Sequence, residues 1–259
     1  MLKNTVKNGA KKLLSFALAL LMLLSLMPMS ALADGATSGS TTRDGVTYTL
    51  ENGVLTISGK GESSYLWKDY FNKRAVNKAI IKDGITCIGD STFYECVGLS
   101  SVTIPNGVTV IDYAAFDGCS GLKSIAIPDS VTSVGAYAFK NCIGLKSVVI
   151  PDSVTSVGAE AFRDCTGLTE VKIGNGVTNI CRQAFEGCTG LTSITVPNNV
   201  ISIQESAFSK CTGLKEAIIP SSVTYIGDYA FYECKGLRSV TLGCNLSEIA
   251  CMHSINAMQ

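Results

Sequence analysis

A fixed spacing of 23 residues is the feature of this chain that most restricts its fold. Seven phenylalanines keep this spacing without slippage, and each is followed by a cysteine and then by a Gly-Leu pair. A constant period of this size is typical of stacked repeats, in which each unit buries its apolar side against its neighbours. The phenylalanines are Phe93, Phe116, Phe139, Phe162, Phe185, Phe208 and Phe231, and the cysteines are Cys96, Cys119, Cys142, Cys165, Cys188, Cys211 and Cys234.

Residues 1–33 have the pattern of a secretory signal peptide. Four lysines precede a nearly unbroken apolar run from Leu13 to Met27, and Ala31-Leu32-Ala33 has the small-x-small form of a cleavage site. The apolar run is shorter than the roughly 20 residues that a membrane-spanning helix needs, which favours cleavage over an uncleaved anchor. We therefore expect a secreted, extracellular or cell-surface protein that is not held in the membrane after cleavage.

Loss of this segment changes the net charge. It removes four of the 21 Lys and Arg and none of the 21 Asp and Glu, so 17 positive charges face 21 negative ones. Nucleic-acid binding needs a basic face, and adhesion to anionic lipid needs a basic patch. The charge balance therefore argues against nucleic acid and against an anionic membrane surface as partners.

The cysteines on the repeat period predict a buried, reduced row. One equivalent cysteine per coil builds a ladder, and a ladder of seven cannot pair completely, whereas free cysteine packs well as a small hydrophobe. Paired disulfides and a metal site are the alternatives, the latter weakened because zinc needs four converging ligands. Of the off-period cysteines, Cys87 and Cys181 lie too far apart to pair, and a bond between Cys244 and Cys251 stays open.

One coil, from Leu122 to Gly144, illustrates the expected local structure. Its L-x-x-I-x-I pattern predicts a short strand that ends at Pro128, because proline cannot continue the ladder. A second extended or 3₁₀ segment and a return side with a buried phenylalanine complete the turn. The side chains expected to point inward are Leu122, Ile125, Ile127, Val131, Val134, Ala138, Phe139 and Cys142.

The same register divides the whole chain. We expect a signal peptide at 1–33, a flexible leader at 34–44, an N-terminal cap at 45–75, a repeat solenoid at 76–249 and an irregular tail at 250–259. Residues 76–81 are read as an eighth, degenerate strand. Asn52-Gly53 between alternating runs predicts a hairpin over 45–59. Trp67 is interpreted as core filler beneath the cap, with an aromatic ligand platform as the alternative.

The C-terminal segment departs from the pattern. Ser254 stands where the next phenylalanine is expected, and Met252, Ile255 and Met258 recur at helical spacing. A short helical turn covering the last coil and a truncation of a longer protein are the two explanations, and the sequence favours neither.

The repeat C-x-G-L-x-x-[IV]-x-[IVL]-P-x-x-V-x-x-[IV]-G-x-x-A-F resembles the BspA-like, treponemal-type leucine-rich repeat over about Val76 to Ile249. The segment Gly53–Gly61 is similar to the entry segment of such proteins. The resemblance implies an α/β-type but β-rich, right-handed solenoid with a parallel sheet on its concave face. It also implies a bacterial surface or secreted protein, since some relatives bind matrix proteins, host cells or other bacteria.

Neither the family nor the residues predict catalysis. The sole histidine, His253, lies in the tail, so the repeats offer no imidazole base for a serine or cysteine nucleophile. No phosphate-binding or calcium-binding motif is present. We expect no enzyme activity, no cofactor and no metal.

The outward positions of the first strand in each coil form the candidate ligand face. They are small, polar and nearly uncharged, which suits a shallow docking surface for an extended extracellular protein or glycan of a host matrix or another bacterial cell. The alternative is a structural spacer, or a fragment of a longer surface protein. The positions are Ser101, Thr103, Ser124, Ala126, Ser147, Val149, Glu170, Lys172, Ser193, Thr195, Glu216, Ser239 and Thr241.

Overall fold

The computed structural model describes residues 36–249, and the side chains of residues 36–247. The predicted signal peptide and the tail from residue 250 therefore lie outside the described residues. Within them the fold is a β-rich solenoid of short parallel strands. Its only helical elements there are 3₁₀ turns at Tyr65–Asp69 and Lys73–Ala75, so no α-helix forms on the return side of these coils.

The first described segment is antiparallel. Strands β1 (Gly39–Arg43), β2 (Val46–Glu51) and β3 (Val54–Gly59) form a meander, and β4 (Gly61–Ser63) follows. The predicted hairpin is confirmed as β2–β3, with Asn52 and Gly53 both at positive φ (50° and 78°) in the turn. Strand β3 then pairs in parallel with β5 (Lys78–Ile81), so the meander continues into the solenoid sheet.

The prediction of a flexible leader at 34–44 is wrong for β1. This strand pairs along its whole length with β2, from Gly39 opposite Leu50 to Arg43 opposite Val46. Threonine and serine hydroxyls add cross-strand hydrogen bonds, Ser40 to Thr49 (3.1 Å) and Thr42 to Thr47 (2.9 Å). A Gly/Ser/Thr-rich composition resembles a linker, yet β-branched threonine also favours strands, and here a partner strand is available.

Two rows of parallel strands run along the solenoid, and the strands that pair within a row lie 23 residues apart in register, as for Ser147 opposite Glu170. The first row follows β5 and comprises β7 (Ser101–Thr103), β10 (Ser147–Val149), β12 (Glu170–Lys172), β14 (Ser193–Thr195), β16 (Glu216–Ile219) and β18 (Ser239–Leu242). The second row comprises β6 (Ile85–Ile88), β8 (Val110–Ile111), β9 (Ser133–Val134), β11 (Ser156–Val157), β13 (Asn179–Ile180), β15 (Ser202–Ile203), β17 (Tyr225–Ile226) and β19 (Glu248–Ile249).

The coil from Leu122 to Gly144 shows how far one repeat could be predicted. All eight side chains expected to point inward are buried. Its first strand, however, is reduced to an isolated bridge between Ser124 and Ser147, while its second segment is the strand β9 rather than a 3₁₀ turn. The degenerate strand expected at 76–81 is present as β5.

The third side of each coil carries the phenylalanine, and we call it the turn row. Backbone N–H groups here bond to carbonyls of the next coil, for example Phe139 to Ala161 (2.7 Å) and Asn141 to Arg163 (2.9 Å). Two residues per coil adopt positive φ. One lies two positions before the phenylalanine and the other two positions after it, such as Tyr137 (60°) and Asn141 (57°) around Phe139. This conformation costs about 1–3 kcal/mol for a residue other than glycine, and the inter-coil hydrogen bonds offset that cost.

Behind the turn row lies a continuous apolar core. Neighbouring phenylalanine rings stack with centroids 5.0–5.5 Å apart and planes within 14° of parallel. The glycine of each Gly-Leu pair lets successive coils approach, because a Cβ on Gly167 would lie 2.3 Å from the Ile143 carbonyl oxygen. Close approach of coils, rather than positive φ, therefore explains why this position is glycine in every copy.

Candidate functional site

The predicted ligand face lies on the outer side of the first strand row. Twelve of its thirteen predicted residues are exposed, and Ser101 is half-buried. Between them the alternate residues turn inward, as Val148 does between Ser147 and Val149. The structure thus brings the predicted residues onto one surface, which we call the strand face.

The strand face is shallow and chemically mild. Its charged groups are Glu170, Lys172 and Glu216, and its largest apolar side chains are Val149 (54% exposed) and Ile218 (38% exposed). A depression on this face lies between β12 and β14, where the lining includes Glu170, Lys172, Asn175, Ser193, Thr195 and Asn198. An open depression with a few polar groups can dock an extended chain but offers no enclosed pocket for a small molecule.

The cysteine ladder lies in the apolar core, where it is bonded to the turn row, and its thiols are chemically inert. All seven repeat cysteines are fully buried, which confirms that the row lies in the core, and none of them is paired in the structure. That the row is reduced stays a prediction. From Cys119 onward each thiol donates a hydrogen bond to the phenylalanine carbonyl of the preceding coil, as Cys165 does to Phe139 (3.0 Å). Burial raises the pKa of the Cys165 thiol well above its ordinary value, so the proton that makes this bond is retained.

The off-period cysteines do not form a reactive centre. Burial, with help from nearby Glu62 and Asp112, raises the pKa of Cys87 to about 12, and burial also raises the pKa of Cys181. The reactive species is the thiolate, which these shifts disfavour at neutral pH. Cys244 is exposed, whereas its possible partner Cys251 lies outside the described residues, as does His253.

Three potential metal ligands meet at the start of the second strand row. One ligand atom each from Glu62, Cys87 and Asp112 lies within 4.8 Å of the others. A structural zinc site uses four ligands, so this group of three falls one short, and exposed acidic groups are common without an ion. We therefore assign no metal to this cluster.

The aromatic segment before the first coil is mostly structural. Trp67 is fully buried, and its Nε1 donates to the Thr92 carbonyl oxygen (2.8 Å), so the core-filler interpretation is confirmed. Lys68 donates from Nζ to the Ser91 carbonyl oxygen (2.6 Å), and burial lowers the pKa of its amine to about 8. The carbonyl of Ala115, equivalent to that of Thr92, accepts the Phe93 N–H of the preceding coil (2.7 Å), so Trp67 takes the place of that donor at Thr92. The Ser91 carbonyl also accepts the Tyr94 N–H (3.0 Å).

A second surface, which was not expected from the sequence, lies on the outside of the turn row. It carries exposed Tyr94 and Tyr113 and half-buried Tyr137. Farther along, nearly buried carboxylates bridge coils, with Glu160 bound to Lys140 and Arg163 (both 2.9 Å) and Glu186 bound to Lys210 (2.7 Å). The tyrosines near the periodic phenylalanines could have indicated this surface in the sequence. They occupy different positions within their repeats, however, and so form no periodic pattern.

Comparisons with known proteins address the fold. The family model described as "BspA type Leucine rich repeat region" matches residues 64–154 and 132–253, in six copies. A leucine-rich repeat protein from Bacteroides ovatus has a similar structure at 23% identity, with a TM-score of 0.65 over 86% of this chain and 80% of that one. The Treponema pallidum leucine-rich repeat protein is 25% identical, with a TM-score of 0.58 over 77% and 91%. No curated protein matches.

Both solved structures match more than three quarters of this chain. At 23% identity the first comparison establishes the shared fold, and nothing about ligands follows from it.

Among residues 36–249, no helix has the length and apolar character that crossing a membrane requires.

Proposed function

The chain belongs to the BspA-type leucine-rich repeat family, and we propose that it is a non-enzymatic, adhesin-like binding module at the bacterial surface or secreted from it. The observation that carries this proposal is the strand face. Its positions recur every 23 residues on a core whose phenylalanine, cysteine and leucine are the same in all seven copies, so a rigid scaffold presents a surface whose side chains differ from coil to coil.

The dimensions suit an extended partner. From β7 to β18 the strand face spans six coil steps, about 29 Å at the usual spacing of neighbouring strands. A protein segment or glycan chain laid along it would meet serine and threonine hydroxyls first, with Glu170, Lys172 and Glu216 as its charged contacts. Host matrix components and the surfaces of other bacteria are the partners that we propose.

We also propose the handedness and curvature of the solenoid: it is right-handed, with the first strand row on its concave side. The meander β1–β3 would act as the N-terminal cap, which is supported by the burial of Tyr48, Leu50, Leu55 and Ile57 in the same apolar cluster as the first coils. Secretion rests on the signal-peptide pattern of residues 1–33.

A paired set of variants tests the strand face. Purified protein is titrated against immobilised matrix proteins and intact bacterial cells, and saturable binding is expected. Ser147→Lys with Ser193→Lys adds bulk and charge to the strand face and should weaken that binding at least tenfold. Ser156→Lys with Asn179→Lys adds the same charge to exposed positions of the second strand row and should leave binding unchanged. Absence of saturable binding to any surface would contradict the proposal.

A structural spacer is the second candidate function. It is favoured by the lack of aromatic and arginine side chains on the strand face, since those residues supply most hot spots in protein interfaces. A spacer predicts that the Ser147→Lys, Ser193→Lys protein binds every surface as the unmodified protein does. The same titration therefore separates the two functions.

A further inference from the structure

Three tyrosines from successive coils line one cleft on the outside of the turn row. Tyr94 is 38% exposed and Tyr113 is 49% exposed, while Tyr137 is half-buried. The rings of Tyr113 and Tyr137 meet edge to face, with centroids 5.2 Å apart and planes at 67°. Together they line a cleft, which we call the tyrosine cleft, with Ser91, Ala114, Asp117 and Lys140.

The backbone beneath the tyrosine cleft is held firmly. Tyr137 adopts a φ of 60°, and its N–H bonds to the Ala159 carbonyl of the next coil (3.0 Å). The Tyr113 carbonyl accepts the Ser91 N–H (2.8 Å), and the stacked Phe116 and Phe139 lie behind. Rings carried on such a scaffold lose little conformational freedom when a ligand binds, which favours recognition.

The charges around the tyrosine cleft compensate one another. Three lysines and three carboxylates surround it, and Lys73 pairs with Glu95 while Lys140 pairs with Glu160 (2.9 Å). The Lys68 amine is 5.1 Å from the Tyr94 ring centroid, and the Lys140 amine is 4.7 Å from that of Tyr137. A cationic ligand would meet these ammonium groups at the rings, and an anionic ligand would meet Asp117, so the arrangement favours a neutral ligand.

Polar groups beside the rings favour a ligand rich in hydroxyls. The Asp117 carboxylate accepts one hydrogen bond from the Asn141 amide (3.1 Å) and has a further oxygen, and the Ser91 side chain is half-buried at the edge. Tyrosine itself combines an apolar ring with a polar hydroxyl. A pyranose sugar matches this mixture, since it has an apolar face of C–H bonds and a rim of hydroxyls.

We propose that the tyrosine cleft binds a neutral pyranose glycan, with a sugar ring stacked on Tyr113 and its hydroxyls bonded to Asp117 and Asn141. This site is separate from the strand face, and it holds whether or not the strand face binds a partner. Its residues come from the turn row, on a different side of the coil.

Oligosaccharide binding tests this proposal directly. Cellotetraose, chitotetraose and maltotetraose are the neutral probes, and sialyllactose and choline are the charged ones, with affinity measured by calorimetry and ring contact by saturation-transfer NMR. At least one neutral probe should bind saturably. Tyr113→Ala should weaken it at least tenfold, whereas Tyr113→Phe, which retains the ring, should bind within about threefold of the unmodified protein.

Two controls separate the possible outcomes. Tyr229→Ala removes an exposed tyrosine five coils beyond Tyr113 and should leave binding unchanged, as should the strand-face pair Ser147→Lys, Ser193→Lys. The proposal is overturned if no neutral probe binds the folded protein, if choline or sialyllactose binds in preference, or if Tyr113→Ala binds like the unmodified protein. Loss of oligosaccharide binding in the strand-face pair would move the site to the strand face.

Discussion

Residue identity is constant among the repeats at several positions on the buried side of each coil and varies on the strand face. The phenylalanine and cysteine are identical in all seven copies, whereas the outward strand positions change among serine, threonine, alanine, valine, isoleucine, glutamate and lysine. Each phenylalanine stacks on its equivalent, and each cysteine from Cys119 on bonds to the preceding coil. The residue type is thus the same in every repeat where a phenylalanine ring or a cysteine thiol contacts a neighbouring coil, and it varies where the side chain faces solvent.

The largest effect should come from breaking the stack in its middle. Phe162 contacts a phenylalanine on both sides, at 5.1 and 5.4 Å between ring centroids. Phe162→Ala should reduce the free energy of unfolding by about 3–5 kcal/mol in urea denaturation, because a cavity replaces both contacts.

Val149→Ala is the matched change on the strand face, where the side chain is 54% exposed. It should alter the free energy of unfolding by no more than about 0.5 kcal/mol. Equal losses in the two variants would show that the two sides of the coil do not differ as described.

A smaller effect is expected where coils approach most closely. In Gly167→Ala the new Cβ would lie 2.3 Å from the Ile143 carbonyl oxygen, so the backbone must shift. A loss of about 1–3 kcal/mol is expected, as for overpacked cores. Gly107→Ala is the control, since its Cβ would have 3.6 Å to the nearest atom and φ is not positive. A tolerated Gly167→Ala would point to duplication history rather than to packing.

The thiol hydrogen bonds should contribute less again. Cys165→Ala removes both the sulfur and its bond to Phe139, whereas Cys165→Ser retains a donor. Cys96→Ala removes a buried sulfur that makes no such bond among the described residues. Cys165→Ala should cost about 0.5–1.5 kcal/mol more than Cys96→Ala in denaturant unfolding, the typical net value of one hydrogen bond. Equal costs would reduce the cysteine to a space-filling role.

The pH dependence of stability should be the smallest of these effects. Burial opposes ionisation of Glu160, but hydrogen bonds from Lys140 and Arg163 outweigh it and lower its pKa below the ordinary 4.5. A lowered folded-state pKa stabilises the fold above pH 4.5, and this stabilisation is lost as pH falls through the folded-state value.

Glu160→Gln should therefore flatten the decline of stability on acidification below about pH 5, measured by thermal unfolding. Glu170→Gln changes an exposed carboxylate of the strand face that makes no ion pair within the described residues, and it should follow the unmodified protein. Parallel curves for all three proteins would contradict the role of Glu160.

Much of the fold was predictable because positions that are buried in every coil carry apolar residues at a fixed 23-residue spacing in the sequence. Phe139, Cys142 and Val134 point inward as expected, and the strand-face residues point outward because strands alternate. The positive φ of Tyr137 and Glu160 was not predictable, because no characteristic residue type marks these positions in the sequence. Their conformation is imposed by hydrogen bonds to the next coil, which form regardless of residue type.

The tyrosine cleft was missed for a related reason. Tyr94 follows its phenylalanine directly, while Tyr113 and Tyr137 precede theirs by three and two residues. The three rings therefore share no repeat position, and only the stacking of coils brings them together. Strand β1 was missed because its partner, rather than its composition, determines that it forms.

Cysteine labelling tests whether the constant cysteine row is part of a buried scaffold. Folded, unreduced protein is treated with a thiol reagent and mapped by mass spectrometry, and the treatment is then repeated in denaturant. We expect exposed Cys244 to react in the folded protein, and the seven repeat cysteines to react only after unfolding, all as free thiols. Four or fewer free thiols in denaturant, or repeat cysteines that label as fast as Cys244 in the folded protein, would contradict this expectation.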